Sequence, residues 1–194
     1  NKTLQRKLNE GLLVLDYVGH GGTEALSDEK VITHNDILGY KYEHLPLWIT
    51  TTCDFCRFDD IQTSAGEDVF LNKKSGGIAL FTTSRVSFTD INRIVNNDLI
   101  SGLFVNEGYK NNSLGDIIKS MKRNTTDGRK LGFCLIGDPA LRLSYPQYNV
   151  SITSINEKPV GDSVVQFKAF EKVTISGYIQ DLSLIHISEP TRRS

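Results

Sequence analysis

LPLWITTTCDFCRFDD, residues 45–60, carries an apolar and β-branched run that stops abruptly at Cys53 and then turns polar. A run of this length, bounded by polar residues, reads as a buried strand. In open α/β sheets, chemistry collects beyond the carboxyl ends of strands, so this reading sets a thiol where a substrate can reach it. The same grammar occurs upstream, where the strand-like residues 12–18, LLVLDYV, run into Gly19-His20-Gly21-Gly22. Strand then histidine, strand then cysteine is the pattern that decides the fold.

Working outward, residues 2–10 are polar and helix-compatible, with Gly11 as a stop. Residues 23–43 read as a loop with a short helix near 35–38. Ser64-Ala65-Gly66-Glu67 has capping-box spacing and leads into Asp68-Val69-Phe70-Leu71, which predicts a short helix. Residues 78–83, IALFTT, form a third strand-like run that ends at Ser84 and Arg85 and is expected beside the Cys53 strand. Thr89 is expected to cap a helix with apolar positions Ile91, Ile94, Val95, Leu99, Leu103 and Phe104. Ser113 to Asp116 repeats the capping signal before Ile117, Ile118 and Met121, and residues 132–136 read as a fourth strand closed by Gly137-Asp138-Pro139. Strands alternating with helices predict an α/β/α sandwich with a parallel or mostly parallel sheet. From Tyr148 the texture changes. Val150, Ile152, Ile155, Val164, Val165, Phe167, Val173, Ile175 and Tyr178 alternate with polar residues without a helical stretch, which reads as the first strands of an all-β sandwich.

The 194 residues, 39% of them hydrophobic, suffice for one good-sized core. A net charge of −1, with both signs intermixed, shows no basic patch for nucleic acid. No apolar run approaches the roughly 18 residues of a membrane helix, and three cysteines cannot make a dense disulfide framework. Both ends read as artificial. The chain opens at Asn1 into the end of a helix, so an amino-terminal part is expected to be missing. Residues 182–194, including His186, resemble the translation of a sequencing adapter and are set aside.

A cysteine nucleophile needs a nearby acid or base, which neighbouring strands can supply across any sequence distance. His20 and Cys53 each end a strand, and adjacent parallel strands set them side by side. Gly21 and Gly22 let the backbone approach a substrate, and the Gly21 N–H with that of Cys53 can form an oxyanion hole.

YVGHGGTEALSDE, TTTCDFCRFDD, TSAGEDVFLN, GGIALFTTSR and LIGDPALRL together resemble the gingipain family of the caspase-like cysteine peptidase clan. Within it they are most similar to the branch that serves as the sortase of type IX secretion in Bacteroidetes, and the likeness runs from about Gly11 to Asp181. It implies Cys53 as nucleophile, His20 as general acid/base and Gly21 as an oxyanion-hole donor, with no cofactor and no metal. It implies residues 1–146 as the carboxyl-terminal part of a caspase-like domain and 147–181 as the start of an immunoglobulin-like domain. The implied activity is a peptidase or transpeptidase on the extracellular face of the outer membrane. Its partners would be secreted proteins with C-terminal signal domains, a lipopolysaccharide acceptor and other secretion components.

Other readings fit some of these residues. Cys53 can be a small buried hydrophobe, and Cys53 with Cys56 forms a Cys-x-x-Cys that suits a redox pair or half a zinc site, although no second pair completes one. Cys134 reads as core; His34 and His44 read as surface residues; Asp59, Asp60 and Asp138 read as helix caps rather than cation ligands. A secreted gingipain-like protease and a non-catalytic secretion component remain as alternative functions.

Overall fold

The structure is a computed structural model that describes residues 2–106, 108–146, 148–161 and 166–181. These fall into two units, one ending at Ser144 and the next beginning at Tyr145.

In the first unit, α1 (Lys2–Glu10) ends at Gly11, whose φ of +94° suits the left-handed stop expected there. Four strands form one sheet: β1 (Val14–Val18), β4 (Leu47–Thr51), β5 (Ala79–Thr83) and β6 (Phe133–Ile136), in the order β1-β4-β5-β6. The first two pairings are parallel and the last is antiparallel, so the sheet is mostly parallel, as expected. Every residue of β4 and β5 is buried. That burial explains why both read as unbroken apolar or β-branched runs rather than as alternating ones.

Alternate side chains of the sheet serve two helical layers. Leu15, Trp48 and Leu80 join one cluster with Leu8 of α1, Ile37 of α2 (His34–Gly39) and Val69 of α3 (Ala65–Leu71). Leu47, Ile49 and Phe81 meet Leu99 and Leu103 of α4 (Thr89–Phe104) and Leu114 and Ile117 of α5 (Leu114–Asn124) on the other side. This is the three-layer sandwich. Trp48, Ile49 and Leu80 are 0% exposed, and burying each side chain of this size is worth about 1.5–3 kcal/mol.

The caps follow the sequence except at one helix. Ser64 and Asp116 make the expected capping contacts, with Ser64 N–H donating to Glu67 Oε2 at 2.8 Å and Ser113 Oγ donating to Asp116 Oδ2 at 2.7 Å. Thr89, by contrast, is the first helical residue of α4 rather than its cap; the cap is the extended Phe88, with no side-chain hydrogen bond. Ile94 and Phe104 are exposed, so the buried stripe of α4 is narrower than its apolar spacing suggested. The chain between β1 and α2 also holds a two-residue antiparallel pair, β2 (Ala25–Leu26) with β3 (Ile32–Thr33), too short to leave a period in the sequence.

In the second unit, β7 (Tyr148–Ile155), β8 (Lys158–Pro159) and β9 (Ile175–Asp181) form an antiparallel sheet in the order β8-β7-β9. Asn156 and Glu157, both at positive φ, turn β7 into β8. Among the described residues this unit has one sheet, whereas an immunoglobulin-like sandwich needs two. Phe167 and Val173 lie outside its strands, and Val164, Val165 and residues 182–194, with His186, lie outside the described residues.

Gly76 links three elements of the first unit. The buried Tyr42 hydroxyl donates to its carbonyl at 2.7 Å and accepts from its N–H at 2.9 Å, and Trp48 Nε1 donates to the same carbonyl at 3.1 Å. Replacing Tyr42 with Phe deletes two of these bonds and orphans a buried N–H, so urea unfolding of Tyr42→Phe should show a loss of about 1–3 kcal/mol.

Candidate active site

The parallel register of β1 and β4 pairs Val18 with Thr51. His20 and Cys53 are each two residues beyond that pair, at the same edge of the sheet and on adjacent strands. His20 is exposed and Cys53 half-buried.

The His20 loop is folded against the cysteine strand. Gly22 N–H donates to Ala25 O at 3.0 Å and Ser27 N–H to His20 O at 2.7 Å, bracketing an antiparallel bridge between Gly21 and Leu26. Gly21 thus occupies the non-hydrogen-bonded position of the bridge, and its N–H is not spent on either carbonyl. A Cβ at Gly21 would lie 2.5 Å from Thr52 Oγ1 and 3.2 Å from Ala25 O. Only glycine lets this loop sit so close to the residue before Cys53. The Tyr17 hydroxyl donates to His20 O at 2.7 Å and adds a second restraint; burial pushes this phenol up, which keeps it a donor.

Beyond Cys53 the backbone turns sharply. Asp54 has φ +48°, a left-handed conformation that Asp tolerates better than most residues, and its N–H donates to Arg85 O at 3.1 Å. Cys56 N–H donates to Thr83 O at 3.1 Å, so the turn is sewn to the end of β5. Arg85 also holds Asp59 through two bonds of 3.0 and 2.7 Å, keeping that carboxyl below its usual range. Both partners are largely exposed, so solvent screens the pair and it serves to hold the turn rather than to stabilise the fold.

The Cys53 thiol is bound by the main chain of Ser87, donating to Ser87 O at 3.2 Å and receiving Ser87 N–H at 3.3 Å. Ser87 Oγ in turn donates to Asn92 Oδ1 of α4 at 2.6 Å. Among the described residues no hydrogen bond joins Cys53 to His20. Catalytic hydrogen bonds are commonly long or unmade before substrate arrives. Ser87 was not anticipated from the sequence. Its only signal was its position just past the third strand, at the edge where the other two strands end.

The second cysteine of the Cys-x-x-Cys belongs to the core. Cys56 is 0% exposed, lies in the cluster with Phe55, Ala65 and Val69, and touches the Gly66 backbone closely enough that no Cβ fits there. Burial pushes its thiol up to about 12. Cys134 on β6 is half-buried, and burial pushes it up as well. Among the described residues no group of three or more His, Cys, Asp or Glu is placed to hold a metal ion. Asp59 binds Arg85, Asp60 accepts from Ile61 N–H, and Asp138 accepts from Ala140 N–H, so these carboxylates are occupied locally. His34 is less exposed than the sequence suggested, with Nε2 3.1 Å from Asp68 Oδ2; His44 is exposed.

A histidine loop and a cysteine turn at one edge of a caspase-like sheet agree with what the sequence matches. The pattern defining peptidase family C25 covers residues 1–144. The chain belongs to peptidase family C25. This is the gingipain family of cysteine peptidases. No curated protein matches the chain in sequence.

Among solved structures, the C25 chain is similar to one titled "Structure of Protease", with a TM-score of 0.62, 18% identity, and coverage of 90% of this chain and 42% of that one. It is also similar to the Arg-specific cysteine proteinase gingipain R, RgpB, with a TM-score of 0.65, 15% identity, and coverage of 78% and 38%. A complex of the RgpB pro- and mature domains from Porphyromonas gingivalis gives 0.62 and 16%, covering 78% and 39%. The C25 chain spans about two fifths of the length of these structures. At such identities the likeness establishes the fold.

Two outcomes follow from this geometry. In the native state at pH 8, iodoacetamide should label Cys53 and leave Cys56 unmodified, as read by peptide mass mapping; denaturant should expose both. Gly21→Ala should lower stability by about 1–3 kcal/mol, and combining it with Thr52→Ala should recover part of that loss in a double-mutant cycle.

Proposed function

We propose that Cys53 is the nucleophile of a cysteine peptidase and that His20 is its general acid/base. The observation that carries this reading is the β1–β4 register, which gives both residues the same height on adjacent parallel strands. The Cys53 sulfur attacks a peptide carbonyl while the Gly21 N–H stabilises the developing oxyanion. His20 delivers a proton to the departing amine, leaving a thioester on Cys53. Water resolves the thioester to a carboxylate; an amine resolves it to a new amide.

We further propose that the second outcome is the physiological one. The wording of the blocks around His20 and Cys53 resembles PorU, the sortase of type IX secretion in Bacteroidetes. The substrates are then secreted proteins whose C-terminal signal domain is cut off, the acceptor is a surface lipopolysaccharide amine, and the site of action is the extracellular face of the outer membrane. Among the described residues no helix is long and apolar enough to cross a membrane.

The test uses the full-length protein in its own host. With Cys53→Ala, mass spectrometry of secreted proteins should find their C-terminal signal domains retained. Normal trimming would point instead to a secreted protease or to a non-catalytic member of the apparatus.

A further inference from the structure

The peptidase reading gives no role to the groups that hold the Cys53 sulfur. The Ser87 main chain meets Sγ with both of its polar groups, the N–H donating at 3.3 Å and the carbonyl accepting at 3.2 Å. Val86 and Phe88 on either side are exposed, so neither neighbour anchors this segment in the core. The Ser87 side chain does so instead, donating from Oγ to Asn92 Oδ1 at 2.6 Å. Asn92 is only 4% exposed and lies in the first turn of α4 between the buried Ile91 and Val95, with its own N–H on Phe88 O at 2.9 Å. An unbroken chain of contacts thus runs from a buried carboxamide on a helix, through one hydroxyl, to the sulfur.

We propose that Asn92 is a positioning residue for the nucleophile: through Ser87 Oγ it fixes the Ser87 main chain so that its N–H stays on the Cys53 sulfur as that atom gains negative charge. The inference rests on the reading of Cys53 as the nucleophile. The two main-chain contacts are unequal. A thiol is a weak donor, so its bond to Ser87 O contributes little and ends when the proton leaves. An N–H aimed at an anionic acceptor makes a charge-assisted bond, roughly twice as strong as a neutral one. The Ser87 N–H contact therefore strengthens as the sulfur becomes the attacking group, provided the main chain stays within bonding distance. A segment with solvent-facing neighbours does not hold that distance unaided; the bond to the buried Asn92 does. Asn92 acts on the sulfur through Ser87.

Alkylation by iodoacetamide reads this at the sulfur itself, with no substrate needed. In the full-length protein at pH 7, Ser87→Ala and Asn92→Ala should each slow alkylation of Cys53 about threefold to tenfold, and Ser87→Thr, which keeps the hydroxyl, should stay within about twofold of wild type. The double variant should be no slower than either single one, because both delete the same bond. Ser87→Ala removes one oxygen from a half-buried side chain, so it keeps the test open if Asn92→Ala does not fold. A wild-type rate in Ser87→Ala with a lowered melting temperature would make the bond merely structural. A faster rate would mean that Ser87 masks the sulfur, and additive slowing in the double variant would separate the two residues. Each of these, or a Ser87→Thr rate as slow as that of Ser87→Ala, would overturn the proposal. Normal trimming of secreted proteins with Cys53→Ala would instead sink the nucleophile reading, whatever the Ser87 rates, so the two failures are told apart.

Discussion

Parallel pairing of β1 with β4 is the constraint on which the rest of the site depends. Parallel strands run in the same direction, so both carboxyl ends leave the sheet at one edge, and the register then fixes their relative height. Val18 opposite Thr51 gives the two loops equal starting points, and His20 and Cys53 each follow two residues further on. A slip of one residue would turn every side chain of β4 to the opposite face and put Trp48 on the helical layer that now receives Ile49. The buried core resists such a slip, so the same apolar packing that stabilises the sheet also determines where the two polar loops meet.

Two cysteines three residues apart illustrate how local backbone divides chemistry from packing. Cys53, two residues past the strand, bonds to the Ser87 main chain; Asp54 turns the backbone through a left-handed conformation; Phe55 and Cys56 then drop into the core against Ala65 and Gly66. The turn is held by hydrogen bonds to Thr83 and Arg85 at the end of β5. One thiol is thereby left near solvent, and the other is buried where ionisation is strongly disfavoured. Thr50 donates to Thr82 at 2.8 Å and Thr83 donates to the Thr52 carbonyl, so buried threonine hydroxyls at the strand ends cross-link β4 to β5.

The layers and the sheet were legible in the sequence because their signals are local. β4 and β5 are buried on both faces and therefore read as continuous apolar or β-branched runs, and Ser64 and Ser113 announce α3 and α5 through capping residues three positions apart. The positions of His20 and Cys53 at strand ends were legible for the same reason. The thiol's contact with Ser87 was not, because it joins residues 34 apart through the tertiary arrangement of two loops. Neither was the left-handed Asp54 or the two-residue pairing of β2 with β3. Each involves too few residues to generate a period. The cap expected at Thr89 moved by one residue because Phe88 adopts the extended conformation and no side chain there accepts from the first turn.

Covalent catalysis through Cys53 is the central claim, and the most direct measurement is of the intermediate itself. The full-length protein, acid-quenched during turnover of a labelled cargo protein and digested, should yield a peptide containing Cys53 that carries the cargo acyl group as a hydroxylamine-sensitive thioester. An adduct on another residue, or turnover with no covalent intermediate, would contradict the account.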